Sequence, residues 1–256
     1  MMITIKSPKE IQCMREAGRI TAEARSVGAG MLRDGVTTDE VEKAIHRFIL
    51  SKGAVPTFRG YGGFPRSACI SVNDEVIHGI PGKRIIHSGD IVSIDVGATY
   101  KGFVGDCAGT YGVGEISPEA ERLIRVTRES FFRGIEFAKA GNRLFDISGA
   151  IQAYCEENGY SLVRDYVGHG IGREMHEDPE VPNYVPPRNE RRKNPRLESG
   201  MTLAIEPMVN AGGFEVRVLS NKWTVVTCDG SLSAHYENTV LITDGEPEIL
   251  TFADNI

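Results

Sequence analysis

Four carboxylates stand at or beside apolar stretches that are typical of buried strands. Asp95 and Glu206 each end a short apolar run. Asp106 comes about one hairpin after Asp95, and Glu237 stands at the entry of another strand-like stretch. Carboxylates that converge in a dry core repel one another and lose their hydration, unless cations compensate their charge. Either these acids do not converge, or they hold metal.

The spacing of Asp95 and Asp106 predicts how the two side chains lie relative to each other. A two-residue turn at Tyr100–Lys101 or at Lys101–Gly102 would pair the flanking strands so that both carboxylates share one face of the sheet. A loop with an odd number of residues, or a β-bulge, would separate them. Any single acid is most simply explained as a solvated turn or edge residue, so the prediction depends on the whole set.

His169, in the turn Gly168-His169-Gly170, is the imidazole that fits such a group of acids. Carboxylates with one imidazole suit divalent ions such as Mn²⁺, Fe²⁺ or Co²⁺, and two such ions bridged by carboxylates form a hydrolytic centre. The glycines at 168, 170 and 172 superficially resemble a nucleotide-binding loop. However, the residues that follow open no helix and lack the spacing of the third glycine, so we predict no dinucleotide site.

The elements that would position these residues occur twice along the chain. Ser7, Pro8 and Glu10 predict a helix start, and a second helix is predicted from Thr38 until Gly53. The same order of helix signals begins again at Ser117 and ends at Gly159.

Two short strings recur in the same order as the helices. His78-Gly79-Ile80 recurs as His169-Gly170-Ile171, and residues 88–95 recur as residues 199–206, each ending in a carboxylate. Ordered recurrence favours duplication over coincidence among glycine-rich loops. We predict a single α+β domain over residues 1–256, with an antiparallel sheet core. Its two helix-helix-strand halves, roughly 1–114 and 115–256, would face each other and bring the paired acids close to a pseudo-twofold axis.

Composition and charge exclude several functional classes. The 256 residues are 41% hydrophobic and 25% charged, which is typical of a globular protein. The net charge of -6 argues against a protein whose main work is to bind a nucleic-acid backbone, so we predict no DNA partner. Because the sequence has no signal peptide and no run of about 18 apolar residues, we predict a cytoplasmic protein with no membrane contact. An odd number of cysteines without a C-x-x-C pair predicts reduced thiols.

Taken together, the motifs resemble those of type I methionine aminopeptidases, in the short bacterial-like form. The matching strings are Cys69–Asn73, His78–Pro81, Gly89–Val92 with Asp95, Gly105–Asp106, Gly168–Gly172, Ile205–Pro207 and Tyr236–Glu237. They span almost the whole chain and follow the order of the family. The resemblance implies the pseudo-symmetric pita-bread fold of the creatinases and aminopeptidases.

The resemblance also implies roles for single residues. The five ligands of a dinuclear metal site are matched by Asp95, Asp106, His169, Glu206 and Glu237. His78 matches the histidine that contacts the substrate backbone, and His176 matches the histidine that stabilises the tetrahedral intermediate. The apolar pocket for the methionine side chain is matched by Tyr61, Phe64, Cys69 and Trp223; for Cys69 and Trp223, a place in the ordinary core is the alternative that the resemblance disfavours. The remaining histidines, His46, His87 and His235, are predicted to be packed or surface residues.

The activity that the resemblance implies is removal of the N-terminal methionine from nascent proteins whose second residue is small. A water bridging two divalent ions (Co, Mn, Fe, Zn or Ni) would have its pKa lowered and attack the first peptide bond. Glu206 would take its proton, the metals and His176 would stabilise the oxyanion, and His78 would hold the substrate amide. The family expectation is a monomer.

One segment departs from the family pattern. Residues 184–196 are longer, richer in proline and more basic than the resemblance predicts, and five cations fall within residues 188–196. A solvated loop is the simpler explanation. The alternative is an electrostatic contact with ribosomal RNA, where such an enzyme would meet its substrate.

Three other classes are less consistent with the sequence. Prolidases and X-Pro aminopeptidases use a similar ligand set but normally carry an extra N-terminal domain that 256 residues cannot hold. A non-enzymatic binding module with this fold would be expected to lose ligands, and a dinuclear phosphoesterase would be expected to place phosphate-binding Arg or His pairs around the metals.

Overall fold

The helices come in two pairs along the chain, as the sequence predicts. They are α1 (Pro8–Ala29), α2 (Thr38–Ser51), α3 (Pro118–Ile135) and α4 (Leu144–Glu157). The structure is a computed structural model that describes residues 3–187, 190 and 193–252. Within these ranges, no helix has the length and apolar character needed to cross a lipid bilayer.

Local capping explains where the helices begin. The carboxylate of Glu10 accepts a hydrogen bond of 3.0 Å from the backbone N–H of Ser7, and the Ser117 hydroxyl accepts one of 3.2 Å from the N–H of Ala120. These contacts satisfy N–H groups that have no partner within the helix. The two predicted starts are therefore confirmed.

The strands are short, except for one long central hairpin. They are β1 (Val55–Pro56), β2 (Ala68–Val72), β3 (Glu75–Ile77), β4 (Ile91–Tyr100), β5 (Phe103–Gly112), β6 (Ser161–Leu162), β7 (Gly168–Gly170), β8 (Glu177–Val181), β9 (Thr202–Ile205), β10 (Met208–Asn210), β11 (Val216–Val218), β12 (Val225–Thr227), β13 (Ser233–His235), β14 (Glu237–Leu241) and β15 (Glu248–Ile249). A three-residue 3₁₀ turn covers Tyr61–Gly63.

Nine of these strands form one antiparallel sheet that crosses both halves of the chain. Its order is β1-β4-β5-β14-β9-β7-β8, with β2 beside β4 and β15 beside β14. The halves meet where β5 pairs with β14. The halves therefore join edge to edge instead of facing each other as two sheets, because this pairing satisfies the backbone groups of edges that would otherwise be exposed.

Equivalent loops in the two halves support the predicted duplication. The backbone N–H of Gly35, ahead of α2, donates to the carbonyl of Ile86 at 2.9 Å. The N–H of Gly141, ahead of α4, donates to the carbonyl of Leu197 at 2.9 Å. In each half, this hydrogen bond connects the loop before the second helix to the residues that precede β4 or β9. Each of these strands leads to one of the acids.

The helices cover one face of the sheet. Ile20 of α1 and Ile45 of α2 pack in one cluster with Ile94 of β4, while Phe131 of α3 packs in another cluster with Leu203 of β9. Because side chains alternate along a strand, the neighbours of these core residues project from the opposite face. That face carries the candidate site.

Candidate metal centre and active site

The β4–β5 hairpin turns at Lys101–Gly102, the second of the two turns that the sequence allows. Both residues have positive φ, 50° and 78°, which a two-residue turn of this kind requires. The pairing sets Asp106 opposite Gly97, so Asp95 and Asp106 share one face, as predicted. β4 continues past Asp95 to Tyr100, and β5 pairs with its whole length.

Neighbouring strands bring the other predicted ligands to the same face. Asp95 of β4 lies directly across β5 from Glu237 of β14. His169 of β7 pairs with Ala204 of β9, and Glu206 follows two residues after Ala204. Since positions two apart along an extended chain share a face, the five side chains lie together, four of them on β4, β5, β14 and β7 and the fifth just after β9.

The acids are buried or partly buried, and several of their oxygens have no hydrogen-bond partner among the described residues. Asp106 and Glu237 are each only 2% exposed. Asp95 Oδ1, Asp106 Oδ1 and Glu237 Oε1 are buried and accept no hydrogen bond from any residue that the structure describes. Burial raises the pKa of Asp95 to about 7 and that of Glu206 to about 8. Burial, followed by repulsion from the neighbouring acids, raises the pKa values of Asp106 and Glu237 well above the usual carboxyl value.

His169 presents a free ring nitrogen to these acids. Its Nδ1 donates to the carbonyl of Gly170 at 2.9 Å, which leaves Nε2 without a hydrogen. Nε2 lies 3.8 Å from Asp106 Oδ2 and 3.7 Å from Glu206 Oε1. Burial lowers the pKa of His169 to about 3, so the ring is neutral and keeps a lone pair for a cation.

His235 is a further nitrogen at the site that the sequence did not reveal. It is buried, as a packed histidine would be, but its Nε2 has no hydrogen-bond partner among the described residues and lies 3.5 Å from Glu206 Oε2. The groups Asp106-His169-Glu237 and Glu206-His235-Glu237 each bring their ligand atoms within 4.8 Å of one another. Strand alternation could have identified His235, because it stands two residues before Glu237.

The donor set fits divalent cations. Buried oxygens and imidazole nitrogens that have no polar partner raise the free energy of the folded protein. Bound cations would supply the missing partners. The two groups share Glu237, so a bridging carboxylate is available.

The acids open onto a cavity of about 80 Å³. Every predicted site residue lines it: Tyr61, Phe64, Cys69, His78, Asp95, Asp106, His169, His176, Glu206, Trp223 and Glu237. Phe58 and Met175 also line the cavity. Neither is predicted from the sequence, because isolated apolar residues carry no motif.

Aromatic rings form the apolar side of this cavity. Phe64 packs edge-on against Trp223 with 5.1 Å between ring centroids, and His78 lies 6.4 Å from Trp223. His78 has a left-handed backbone with φ of 58°, a conformation that is uncommon for residues other than glycine. Gly79 must be glycine, because a Cβ there would lie 2.2 Å from the carbonyl oxygen of Ile70.

His176 lies on the side of the cavity that carries the acids and His169. Its Nδ1 lies 2.6 Å from the Tyr61 hydroxyl, and its ring centroid is 4.2 Å from that of His169. Burial lowers the pKa of His176, which favours the neutral ring.

The loop that carries His176 is tied to the N-terminal segment by a nearly buried ion pair. Glu177 Oε2 accepts from Lys6 Nζ at 2.7 Å and from Thr4 Oγ1 at 2.6 Å, while Oε1 accepts from the N–H of Arg173 at 2.9 Å. The side chains of Lys6 and Glu177 are 6% and 12% exposed.

Glu177→Gln is expected to lower the free energy of unfolding by about 2 kcal/mol at neutral pH, because it leaves Lys6 buried without its partner. Burial acts to raise the pKa of Glu177, but the bonds from Lys6 and Thr4 outweigh it and lower the pKa. The stabilisation is therefore complete above the usual carboxyl pKa and is lost as the pH falls through the lowered value.

Urea unfolding of both proteins at pH 7 and at about pH 3 measures this difference. Glu174→Gln, which changes an exposed carboxylate on the same loop, is the matched control and should have little effect. A loss of unfolding free energy that is equal at both pH values would show that the ion pair between Lys6 and Glu177 is not its cause.

Comparisons with known proteins agree with this geometry. The sequence profile of metallopeptidase family M24 matches residues 12–244. A methionine aminopeptidase of Clostridium acetobutylicum is 56% identical over 254 residues, which covers 99% of this chain and 100% of that protein. The crystal structure of a methionine aminopeptidase from Thermotoga maritima, 47% identical, has a TM-score of 0.95 and covers 98% of this chain and 100% of that one. A prolidase from Pyrococcus furiosus, 24% identical, shares the fold with a TM-score of 0.78, and this chain spans 66% of its length.

Proposed function

Because the chain belongs to metallopeptidase family M24 and, within it, to the methionine aminopeptidases, we propose that it removes the N-terminal methionine from nascent polypeptides by metal-dependent hydrolysis. The observation that carries this proposal is the convergence of four acids, of which Asp106 and Glu237 are buried, and His169 beside an apolar cavity. We further propose that residues 1–256 act as one catalytic domain and that cleavage requires a small second residue.

Asp95, Asp106, His169, Glu206 and Glu237 would hold two divalent cations. Oxygen donors with an imidazole accept Mn²⁺, Fe²⁺ and Co²⁺ readily, and Zn²⁺ and Ni²⁺ are further candidates. When bound, such ions polarise the carbonyl of the scissile bond and lower the pKa of a water molecule. The unpartnered buried oxygens of Asp95, Asp106 and Glu237 support this assignment.

Glu206 is the proposed general base. It follows β9, and its oxygens lie 3.7 Å from His169 Nε2 and 3.5 Å from His235 Nε2. Its carboxylate takes the proton of the attacking water and returns it to the leaving amine as the peptide bond breaks.

Two histidines act on the substrate. When the Tyr61 hydroxyl donates to Nδ1 of His176, Nε2 of that ring carries the hydrogen and donates to the carbonyl oxygen as negative charge develops. His78, on the other wall, contacts the peptide group of the substrate and holds it in line.

The cavity wall selects the methionine side chain. Trp223→Ala is expected to lower kcat/KM for a methionyl peptide by roughly 10- to 100-fold, mainly through KM, because the ring of Trp223 closes the apolar side against Phe64. Phe137→Ala removes an aromatic ring that is 42% exposed and outside the cavity, so it is the control. Unchanged KM in Trp223→Ala would place the methionine side chain elsewhere.

A panel of three peptides tests the substrate class. We expect methionine release from Met-Ala-Ser, little from Met-Lys-Ser because its second side chain is large, and no cleavage of Ala-Pro-Ser. Cleavage of Ala-Pro-Ser would instead indicate a proline-directed peptidase, and inactivity on all three would favour a binding module.

We propose that the protein works as a monomer in the cytoplasm, where nascent chains emerge. Of the five cations at 188–196, Arg188, Arg191 and Arg192 lie outside the described residues. Arg196 donates to the carbonyl of Gly141 at 2.6 Å, so it serves this chain's own packing. Contact of this segment with ribosomal RNA stays a proposal, and cosedimentation with ribosomes that disappears at high salt would support it.

A further inference from the structure

A second cavity, of about 220 Å³, lies on the helix side of the sheet. Arg25 of α1 and Arg128 of α3 line it, together with Tyr111 of β5 and Tyr236. Tyr111 is an odd number of positions from Asp106 on β5, so it projects from the face opposite the acids. The cavity therefore lies on the opposite face of the sheet from the acids. Thr110 and His235 also line it, and the Nε2 of His235 lies 3.5 Å from Glu206 Oε2 on the acids' side.

Arg25 is a buried cation without an acidic partner. It is only 5% exposed, and its Nη1 donates to the carbonyl of Ala108 at 2.9 Å and lies 3.5 Å from that of Glu237. Its Nε is buried with no hydrogen-bond partner, and no carboxylate of the described chain forms an ion pair with it. Guanidinium groups stay protonated in proteins. A buried charge of this kind is costly unless an anion compensates it.

Arg128 supplies a second cation at the exposed side of the same cavity. Its guanidinium lies 5.5 Å from the ring centroid of Phe132 and, among the described residues, has no ion-pair partner. By contrast, Arg125 and Arg133 on the same helix pair with Glu129 and Glu136. Within the part of the chain that the structure describes, the charge of Arg128 is therefore open to a ligand.

The remaining walls are largely apolar. Ile124, Phe252 and the rings of Tyr111 and Tyr236 surround the space between the two arginines. Gly109 lies beside Tyr111 in the same wall and contributes no side chain to fill it. Such a cavity suits an oxyanion on a small apolar body, because planar guanidinium groups bind carboxylate and phosphate oxygens in pairs.

We propose that this cavity is a binding site for a small oxyanion, a carboxylate or phosphate group, with Arg25 as its inner ligand and Arg128 as its outer ligand. The oxyanion site goes beyond the proposed peptidase reaction, and its evidence does not rest on that reaction.

Isothermal titration of the metal-loaded protein with inorganic phosphate and, separately, with benzoate tests the proposal at low ionic strength. We expect saturable binding of one ligand per chain. Arg128→Met keeps the apolar stem but removes the charge, and should weaken binding by roughly tenfold or more. Arg125→Met, which removes a solvent-facing arginine from the same helix, is the matched control and should bind like the original protein.

Arg25→Met provides a second variant, with circular dichroism to check its fold, and should lose binding as well. Tighter binding of benzoate would indicate that the natural ligand carries a carboxylate, and tighter binding of phosphate would indicate a phosphate group. Two results would overturn the proposal. The first is that neither probe binds saturably. The positive charge of Arg25 would then only offset the negative charge of the acids at long range. The second is equal affinity in Arg128→Met and Arg125→Met, which would place any bound anion elsewhere.

Discussion

Glu206→Gln is expected to lower kcat for Met-Ala-Ser by at least roughly 10³-fold. The carboxylate lies 3.7 Å from His169 Nε2 and 3.5 Å from His235 Nε2. The amide that replaces it keeps the shape of the side chain but cannot accept a proton from water. It is also a weaker ligand, so loss of the base and loss of a cation both reduce turnover.

Measuring kcat at saturating cation, together with the cation content of each protein, separates these two losses. Glu198→Gln, an exposed carboxylate ahead of the same strand, should leave kcat unchanged. Turnover close to that of the original protein in Glu206→Gln would remove this residue from the mechanism.

Asp106→Asn is expected to have opposite effects on cation binding and on stability. Asp106 is 2% exposed, and its Oδ1 has no hydrogen-bond partner in the described chain. Loss of its charge should weaken cation binding by roughly 100-fold or more, since a ligand is removed outright. In the cation-free protein the same change removes a buried, repelled carboxylate, so the free energy of unfolding should rise by about 1–3 kcal/mol.

Scanning calorimetry with and without a chelator measures both effects. Asp244→Asn, an exposed acid in a turn, is the control and should change neither quantity. A cation-free Asp106→Asn protein that is less stable than the original would show that the acid has a structural role of its own. Unchanged cation affinity would exclude Asp106 from the ligand set.

Local chemistry accounts for what the sequence predicts well. The caps at Ser7 and Ser117 depend on residues within a few positions, and the Asp95–Asp106 relation depends only on the length of one turn. The recurrence of His78-Gly79-Ile80 and of the strand leading to each acid predicts the duplicated plan.

Long-range contacts account for what the sequence does not predict. The pairing of β5 with β14 joins strands from distant parts of the chain, and no local pattern distinguishes that arrangement from two facing sheets. His235 looks like an ordinary packed histidine until β14 places its neighbour Glu237 beside Glu206. The unpaired charge of Arg25 likewise becomes apparent only once α1 is packed on β5.

The most direct test of the account is methionine release from Met-Ala-Ser by protein that has been stripped with a chelator and then given Mn²⁺, Fe²⁺ or Co²⁺ in turn. We predict that stripping abolishes release and that at least one of these ions restores it, because the buried acids and His169 hold the cations that the reaction needs. Release that continues unchanged in the stripped protein, or that none of the ions restores, would contradict the metal-dependent peptidase assignment.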